Sequence, residues 1–177
     1  MFESTRRSIG LHLARFSFRS HPDQAMTFTG ALSAGKRVLL VLPLAPTQQS
    51  TAAIIELVRS RYGDDHITVI ADALDNGITA LMPHSEILRI SAQQVTRFFH
   101  PPGALLQRIA GKPFDIAIDL NLDFLLPSGY ICKASGARVR VGFTKPGADT
   151  FYNLQVQTGN TRGPGVYERL ASCLKMF

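Results

Sequence analysis

The sequence predicts an α/β fold built on a parallel β-sheet, and three observations support this. Short runs of β-branched and leucine residues recur along the chain. They alternate with longer segments whose apolar residues recur at helical spacing. The short runs are almost wholly apolar, which is typical of strands buried on both faces of a parallel sheet. Right-handed crossovers between such strands produce a Rossmann-like, doubly wound parallel sheet with helices on both faces.

The first predicted strand is RVLLVLPL, and it precedes a helix in STAAIIELVRSRYG that ends at Gly63. HITVIAD is the second strand. The segment NGITALMPHSEILRI contains a short helix, a turn at Pro83 and a third strand at about 86–90.

The remaining elements continue the alternation. PPGALLQRIAG is a helix, FDIAIDLN a fourth strand, LLPSGYICKASGA a helix that ends at Gly136, and RVRVGF a fifth strand. Residues 144–165 are rich in turn residues, and VYERLASCLKMF predicts a closing helix. The sequence therefore predicts a parallel sheet of at least five strands.

Composition indicates one domain and a reducing compartment. The chain has 177 residues, 45% of them hydrophobic, which is enough for one full core. It has no apolar run of membrane-spanning length and no secretory signal pattern. Cys132 and Cys173 show no metal-binding or redox spacing, so we expect free thiols and a cytoplasmic protein.

The net charge of +6 is concentrated at the two ends of the chain. Residues 1–37 carry six basic and two acidic side chains, and residues 133–177 carry seven and two, whereas residues 38–132 carry six and nine. We interpret residues 1–35 as a basic N-terminal extension and residues 36–177 as the Rossmann-like domain. Such asymmetry favours an acidic partner, although ordinary surface charge is an equal alternative. The chain lacks a recognised nucleic-acid-binding motif, so we do not expect nucleic acid as the partner.

The extension contains STRRSIGLHLARFSFRS, which can form a helix with Ile9, Leu13 and Phe16 on one face. The segment lies within residues 1–20. Its apolar face and its arginines are typical of a helix on an anionic membrane surface. Alternatively, it packs onto the domain or onto a second copy of the chain in a homodimer. Gly10 lowers the helix propensity by about 1 kcal/mol.

The stretch GALSAGKRVLLVLPLAP nearly matches a phosphate-binding P-loop at Gly30, Gly35 and Lys36. However, Arg37 replaces the hydroxyl residue that holds Mg²⁺, and the strand follows the glycines instead of preceding them. We therefore expect a turn that leads into the first strand. No G-x-G-x-x-G follows that strand, so no nicotinamide or other cofactor is expected.

In an open parallel sheet, ligands bind beyond the carboxyl ends of the strands. Three stretches should lie there: PTQQST, DLNLD and GFTKPG. Asp119 and Asp123 are candidates for a general base or for binding sugar hydroxyls, whereas Asp119 or Asn121 as a helix cap is the structural alternative. The histidines are scattered, so no metal site is expected. The candidate ligand-binding residues are Thr47, Gln48, Gln49, Asp119, Asn121, Asp123, Thr144 and Lys145.

The stretch FDIAIDLNLDFLLPSGYICKASGARVRVGF resembles the N-terminal half of the family 9 glycosyltransferases, the bacterial heptosyltransferases that build the lipopolysaccharide inner core. Three further stretches agree in order: KRVLLVLPLAPTQQSTAAIIELVRSRYGDDHITVIAD, FYN and VYERLASCLKMF. The resemblance covers about residues 36–177. It implies one half of a GT-B architecture.

Two departures from the family argue against catalysis by this chain. The family has a general-base carboxylate in the loop after the first strand, and Gln48 stands roughly there. Glutamine cannot accept that proton near neutral pH. The family's nucleotide-sugar domain lies beyond the region of resemblance. No catalytic residue is therefore assigned.

The expected function is that of a non-catalytic, glycosyltransferase-like domain that binds a sugar, a sugar phosphate, a glycolipid or a protein partner. The alternative is the acceptor-binding subunit of an active heptosyltransferase-type enzyme completed by another chain. The resemblance also implies a place at the inner membrane, because the acceptor of the family is a lipid.

Overall fold

The computed structural model describes residues 2–20, 23, 27–44, 50–74, 77–157 and 165–177. Within them, six strands form one sheet. The strands are β1 (Val38–Val41), β2 (Ile67–Asp72), β3 (Glu86–Ile90), β4 (Ile116–Asp119), β5 (Val139–Phe143) and β6 (Leu154–Val156).

All neighbouring strands are parallel, in the order β3-β2-β1-β4-β5-β6. This order is that of a doubly wound sheet of the Rossmann type. Val41, the last residue of β1, pairs with Ile70 and with Asp119, so the carboxyl ends of the central strands share one edge. The chain connection reverses direction between β1 and β4. The predicted fold class is confirmed.

Helices cover both faces of the sheet. They are α1 (Phe2–Phe18), α2 (Phe28–Ala34), α3 (Ala52–Tyr62), α4 (Ile78–Leu81), α5 (Gly103–Ala110), α6 (Leu126–Ala134) and α7 (Val166–Leu174). Short 3-10 turns occupy Asp64–His66, Ala92–Gln94 and Ala148–Thr150.

The core consists of two apolar layers, one on each face. Successive strand residues point to opposite faces, so Leu40 belongs to one layer and Leu39 to the other. The Leu40 layer packs against α2, α3 and α7. The Leu39 layer packs against α1, α5 and α6. The helix residues that represent these contacts are Leu32, Ile54 and Leu170 in the first layer and Ala14, Leu105 and Ile131 in the second.

One local prediction was wrong, and one strand had no counterpart among the predicted elements. The segment from Gly30 to Gly35, expected as a turn, lies mostly in helix α2. The turn-rich segment at 144–165 contains β6, whose Leu154 pairs with Val141 of β5. A strand of three residues is too short to show a periodic pattern in the sequence, and its pairing with the exposed edge of β5 decides its conformation.

The N-terminal helix α1 packs onto the domain through the face that carries Gly10 and Ala14, which are both buried. His100 Nε2 donates a hydrogen bond to the Gly10 carbonyl oxygen at 2.9 Å. The glycine is necessary for this approach, because a Cβ atom at position 10 would lie 2.0 Å from the carbonyl oxygen of Phe98. The packing alternative of the sequence analysis thus describes this helix.

A different face of α1 carries the predicted apolar stripe, and this stripe is only partly covered by the domain. Ile9 and Leu13 are partly exposed, and Phe16 has a relative accessibility of 76%. No helix in the described part of the chain is both long enough and apolar enough to cross a membrane.

Candidate functional site

The structure brings together three of the eight candidate residues. Asp119, Asn121 and Lys145 meet at the carboxyl edge of the sheet, and their relative accessibilities are 0%, 2% and 9%. Asp123 and Thr144 lie near them in the chain and are exposed. The other three candidates lie outside the described residues; they are Thr47, Gln48 and Gln49.

Asp119 is the centre of a buried hydrogen-bond network. Its Oδ1 accepts hydrogen bonds from the backbone N–H and the side-chain amide of Asn121, at 2.9 and 2.6 Å. Its Oδ2 accepts hydrogen bonds from Ser128 Oγ at 3.0 Å and from the Tyr152 hydroxyl. The Lys145 ammonium lies 3.6 Å from the same oxygen. Four donors and a cation therefore satisfy this carboxylate inside the protein.

Asn121 and Lys145 connect this network to neighbouring backbone. The Asn121 amide accepts a hydrogen bond from the Leu44 N–H at 2.8 Å and donates one to the Leu42 carbonyl at 3.2 Å. The Lys145 ammonium donates to the carbonyl oxygens of Asn121 and Asp123. The network thus ties the chain after β1 to the chain after β4, where the connection of the sheet reverses. The network is buried, and its polar groups already have hydrogen-bond partners within the protein. Both features favour a structural role over direct ligand contact.

Neither Asp119 nor Asn121 caps the following helix, which was the structural alternative considered from the sequence. The N-cap residue of α6 is Leu125, and no side chain caps it. Asp119 instead reaches α6 through the hydroxyl of Ser128.

Two acidic side chains beside Asp119 are held in their neutral forms. Burial, and then the negative charge of Asp119, raise the pKa of the Cys132 thiol well above its ordinary value of 9.0. The same two causes raise the pKa of Tyr152 well above 10.0. At neutral pH, Cys132 is therefore a poor nucleophile and Tyr152 a hydrogen-bond donor.

A cavity of about 230 Å³, here called the edge cavity, opens at the carboxyl ends of β1, β2 and β3. Its wall is mostly apolar and comprises Leu44, Ile90, Ala92, Val95, Phe99, Leu125 and Pro127. Its polar side chains are Arg7, Asp72 and Ser91. The N-terminal half of α1 therefore contributes a cation to a cavity at the edge of the sheet where ligands bind in this class of fold.

Phe99 gives this cavity a fixed wall. Its φ angle is 62°, in the left-handed region that residues other than glycine rarely adopt. Hydrogen bonds hold the turn closed, because the Phe99 N–H donates to the Thr96 carbonyl at 2.8 Å and the Thr96 N–H donates to the His100 carbonyl at 2.9 Å. The Arg7 guanidinium lies over the Phe99 ring, 5.7 Å from its centroid. Such strained residues occur preferentially at binding sites.

Arg7, Asp72 and Ser91 are not among the residues predicted from the sequence to bind a ligand. Asp72 is the last residue of β2. Ligands bind beyond the carboxyl ends of parallel strands, and applying this expectation to β2 as well would have identified Asp72 as a candidate. No local signal places Arg7 there, because its position depends on how α1 packs. Among the described residues, no group of three His, Cys, Asp or Glu side chains is arranged to hold a metal ion.

No protein-family model, no curated protein and no solved structure matches this chain. The resemblance to the family 9 glycosyltransferases therefore remains a prediction.

Proposed function

We propose that this chain is a ligand-binding Rossmann-like domain whose edge cavity holds a single sugar ring carrying a phosphate group. The observation that carries this proposal is the combination of one guanidinium, one carboxylate and an apolar wall in one cavity at the carboxyl edge of the sheet. It develops the sugar-phosphate expectation of the sequence analysis and assigns the chain an accessory, non-catalytic role.

Each chemical feature of such a ligand has a counterpart in the cavity. The Arg7 guanidinium suits a phosphate, which it can bind through two parallel hydrogen bonds. The Asp72 carboxylate, one oxygen of which accepts the Leu74 N–H at 2.8 Å, suits sugar hydroxyls. The Phe99 ring and the aliphatic side chains suit the C–H face of a sugar ring.

The size of the cavity favours one ring over a dinucleotide. Its volume of about 230 Å³ is below the roughly 300–1,000 Å³ of typical drug-sized ligand sites. The absence of a glycine-rich turn after β1 in the sequence also argues against a dinucleotide.

The test is calorimetric titration of the full chain with glucose 1-phosphate and with glucose as probes. Arg7→Gln should weaken phosphate-sugar binding about tenfold or more, because a hydrogen bond to a charged group contributes about 1.5–3 kcal/mol. Asp72→Asn should weaken binding of both probes. Arg15→Gln is the matched control, because Arg15 is an exposed arginine of the same helix that lines no part of the edge cavity.

Equal binding by the Arg7→Gln and Arg15→Gln variants would contradict the proposal, as would no saturable binding by the parent chain. Turnover of a nucleotide sugar by the chain alone would contradict the accessory role and favour a transferase.

The exposed stripe of α1 favours a second proposal, attachment to an anionic membrane surface. Phe16 is largely exposed, Ile9 and Leu13 are partly exposed, and Arg15 of the same helix is exposed. Helices in the membrane interface combine such apolar and basic side chains. Because Arg7 of the same helix lines the edge cavity, this attachment would keep the edge cavity close to the membrane.

Vesicle sedimentation tests this attachment on the full chain. Phe16→Gln should reduce binding to vesicles that contain phosphatidylglycerol. Leu74→Gln should leave binding unchanged, because Leu74 is 86% exposed but lies outside α1. Equal sedimentation of both variants and the parent chain would refute the membrane role of the stripe.

A further inference from the structure

A second cavity, of about 430 Å³, lies at the opposite edge of the sheet from the edge cavity. It is lined by the end of α1, the last turn of α6 and the start of β5. We call it the basic pocket, and its lining includes Phe18, Asp23, Tyr130, Lys133 and Arg140.

Arg140 is a buried cation at this pocket, with a relative accessibility of 4%. Its Nε donates to the Phe151 carbonyl at 2.8 Å and its Nη1 to the Ala137 carbonyl at 2.7 Å. Its Nη2 pairs with Asp23 Oδ1 at 2.5 Å. The guanidinium is therefore fixed by two backbone carbonyls and one carboxylate oxygen.

Lys133 adds a second cation, and both cations share one carboxylate. The Lys133 side chain is 9% exposed, and its ammonium donates to the same Asp23 Oδ1 at 2.7 Å. The local charge is therefore +1. Burial raises the pKa of Asp23, but the hydrogen bond from Lys133 and the charge of Arg140 together lower it below its ordinary value of 3.8. The carboxylate is thus ionised at neutral pH.

We propose that the basic pocket is a binding site for the phosphate group of a small molecule, and that Asp23 occupies this site as an internal counter-ion which the ligand displaces. A phosphate monoester carries a charge of about −1.5 to −2 at pH 7 and three acceptor oxygens. It neutralises both cations, whereas the carboxylate neutralises one. It also offers a separate oxygen to each cation, whereas Arg140 Nη2 and the Lys133 ammonium share the single oxygen Asp23 Oδ1 in this structure.

The pocket also has a surface for the rest of the ligand. The rings of Phe18 and Tyr130 lie beside the cations, with their centroids 4.8 Å apart. These rings suit an apolar or planar group attached to the phosphate. The site is separate from the edge cavity: no described residue lines both, although helices α1 and α6 contribute to each.

The experiment follows ¹⁵N-labelled full chain by NMR during titration with inorganic phosphate, with sodium chloride added to hold ionic strength constant. The parent chain should show saturable shifts around Lys133 and Arg140. If the Asp23 carboxylate occupies the site in about nine molecules of ten, only about one molecule in ten is free to bind phosphate. Asp23→Asn removes this competition, so it should tighten phosphate binding about tenfold. Asp65→Asn is the control, because Asp65 is an exposed carboxylate outside this pocket.

Lys133→Gln keeps the proposal testable if the Asp23→Asn variant does not fold. It should abolish saturable phosphate binding, whereas Lys175→Gln, at an exposed position, should not. The absence of saturable binding by the parent chain, or equal binding by these two variants, would show that the ion pairs only anchor the N-terminal segment. Tightening of phosphate binding by Asp65→Asn to the same extent as by Asp23→Asn would overturn the displacement step.

Vesicles that contain phosphatidic acid distinguish the source of the phosphate group. Binding of these vesicles that is lost in Lys133→Gln would identify a lipid headgroup. Phosphate binding without vesicle binding would identify a free phosphorylated compound. Both results support the site.

Discussion

Replacement of Gly10 by alanine should destabilise this protein, although alanine is the better helix-forming residue. In an isolated helix, the substitution would stabilise α1 by about 1 kcal/mol. In the folded domain, however, the new methyl group would lie 2.0 Å from the Phe98 carbonyl oxygen and 3.1 Å from Leu126 Cδ2. The oxygen belongs to backbone, so it cannot rotate away as a flexible side chain would.

The size of the effect follows from these contacts. A carbon atom normally approaches a carbonyl oxygen no closer than about 3.3 Å, so α1 must move outward by about 1 Å. Such overpacking costs about 1–3 kcal/mol. The movement also weakens the hydrogen bond from His100 to the Gly10 carbonyl, which contributes about 0.5–1.5 kcal/mol. After subtraction of the propensity gain, we expect a net loss of about 1–3 kcal/mol in the free energy of unfolding.

Urea unfolding followed by circular dichroism measures this loss. The matched control is Gly103→Ala at the first residue of α5, where an added Cβ meets no atom within 4 Å. This control should be as stable as the parent chain or more stable, because only helix propensity changes. A Gly10→Ala variant as stable as the Gly103→Ala variant would refute the close packing of α1.

The remaining predictions concern the buried network. Asp119→Asn should destabilise the protein by about 3–5 kcal/mol in urea unfolding, because it leaves the buried Lys145 ammonium without its carboxylate. The exposed control Asp123→Asn should change stability by less than about 0.5 kcal/mol, and equal losses would contradict the structural role. In a thiol titration of the native protein, Cys173 should react and Cys132 should react only on unfolding, because burial raises its pKa. Two rapidly reacting thiols would contradict this burial.

Much of the fold could be predicted from the sequence because its signals are local. The apolar runs at Val38–Val41 and Ile116–Asp119 are strands, and the prolines and Gly111 bracket helix α5 at Gly103–Ala110. The third strand, Glu86–Ile90, also lies where it was predicted. Side-chain periodicity and turn residues determine such elements within a few neighbouring positions. The three-residue strand β6 was missed because its conformation depends on pairing with β5.

The meeting of Asp119, Asn121 and Lys145 follows from the expected topology, since the carboxyl ends of parallel strands share an edge. Their burial does not. A sequence shows which residue types follow a strand. The hydroxyls of Ser128 and Tyr152 complete the network, and they come from parts of the chain that reach Asp119 only when the protein folds.

The sequence by itself determined the order and type of the elements, and the tertiary structure decided which side chains face a cavity. Gly10 is unfavourable by helix propensity, yet the packing of α1 against the Phe98 carbonyl requires it. That same packing places Arg7 at the edge cavity, and Asp23 meets Lys133 across 110 positions of sequence. Such contacts depend on how whole helices dock on the sheet. Docking is determined by the shape and burial of both apolar layers together, so no local pattern encodes it.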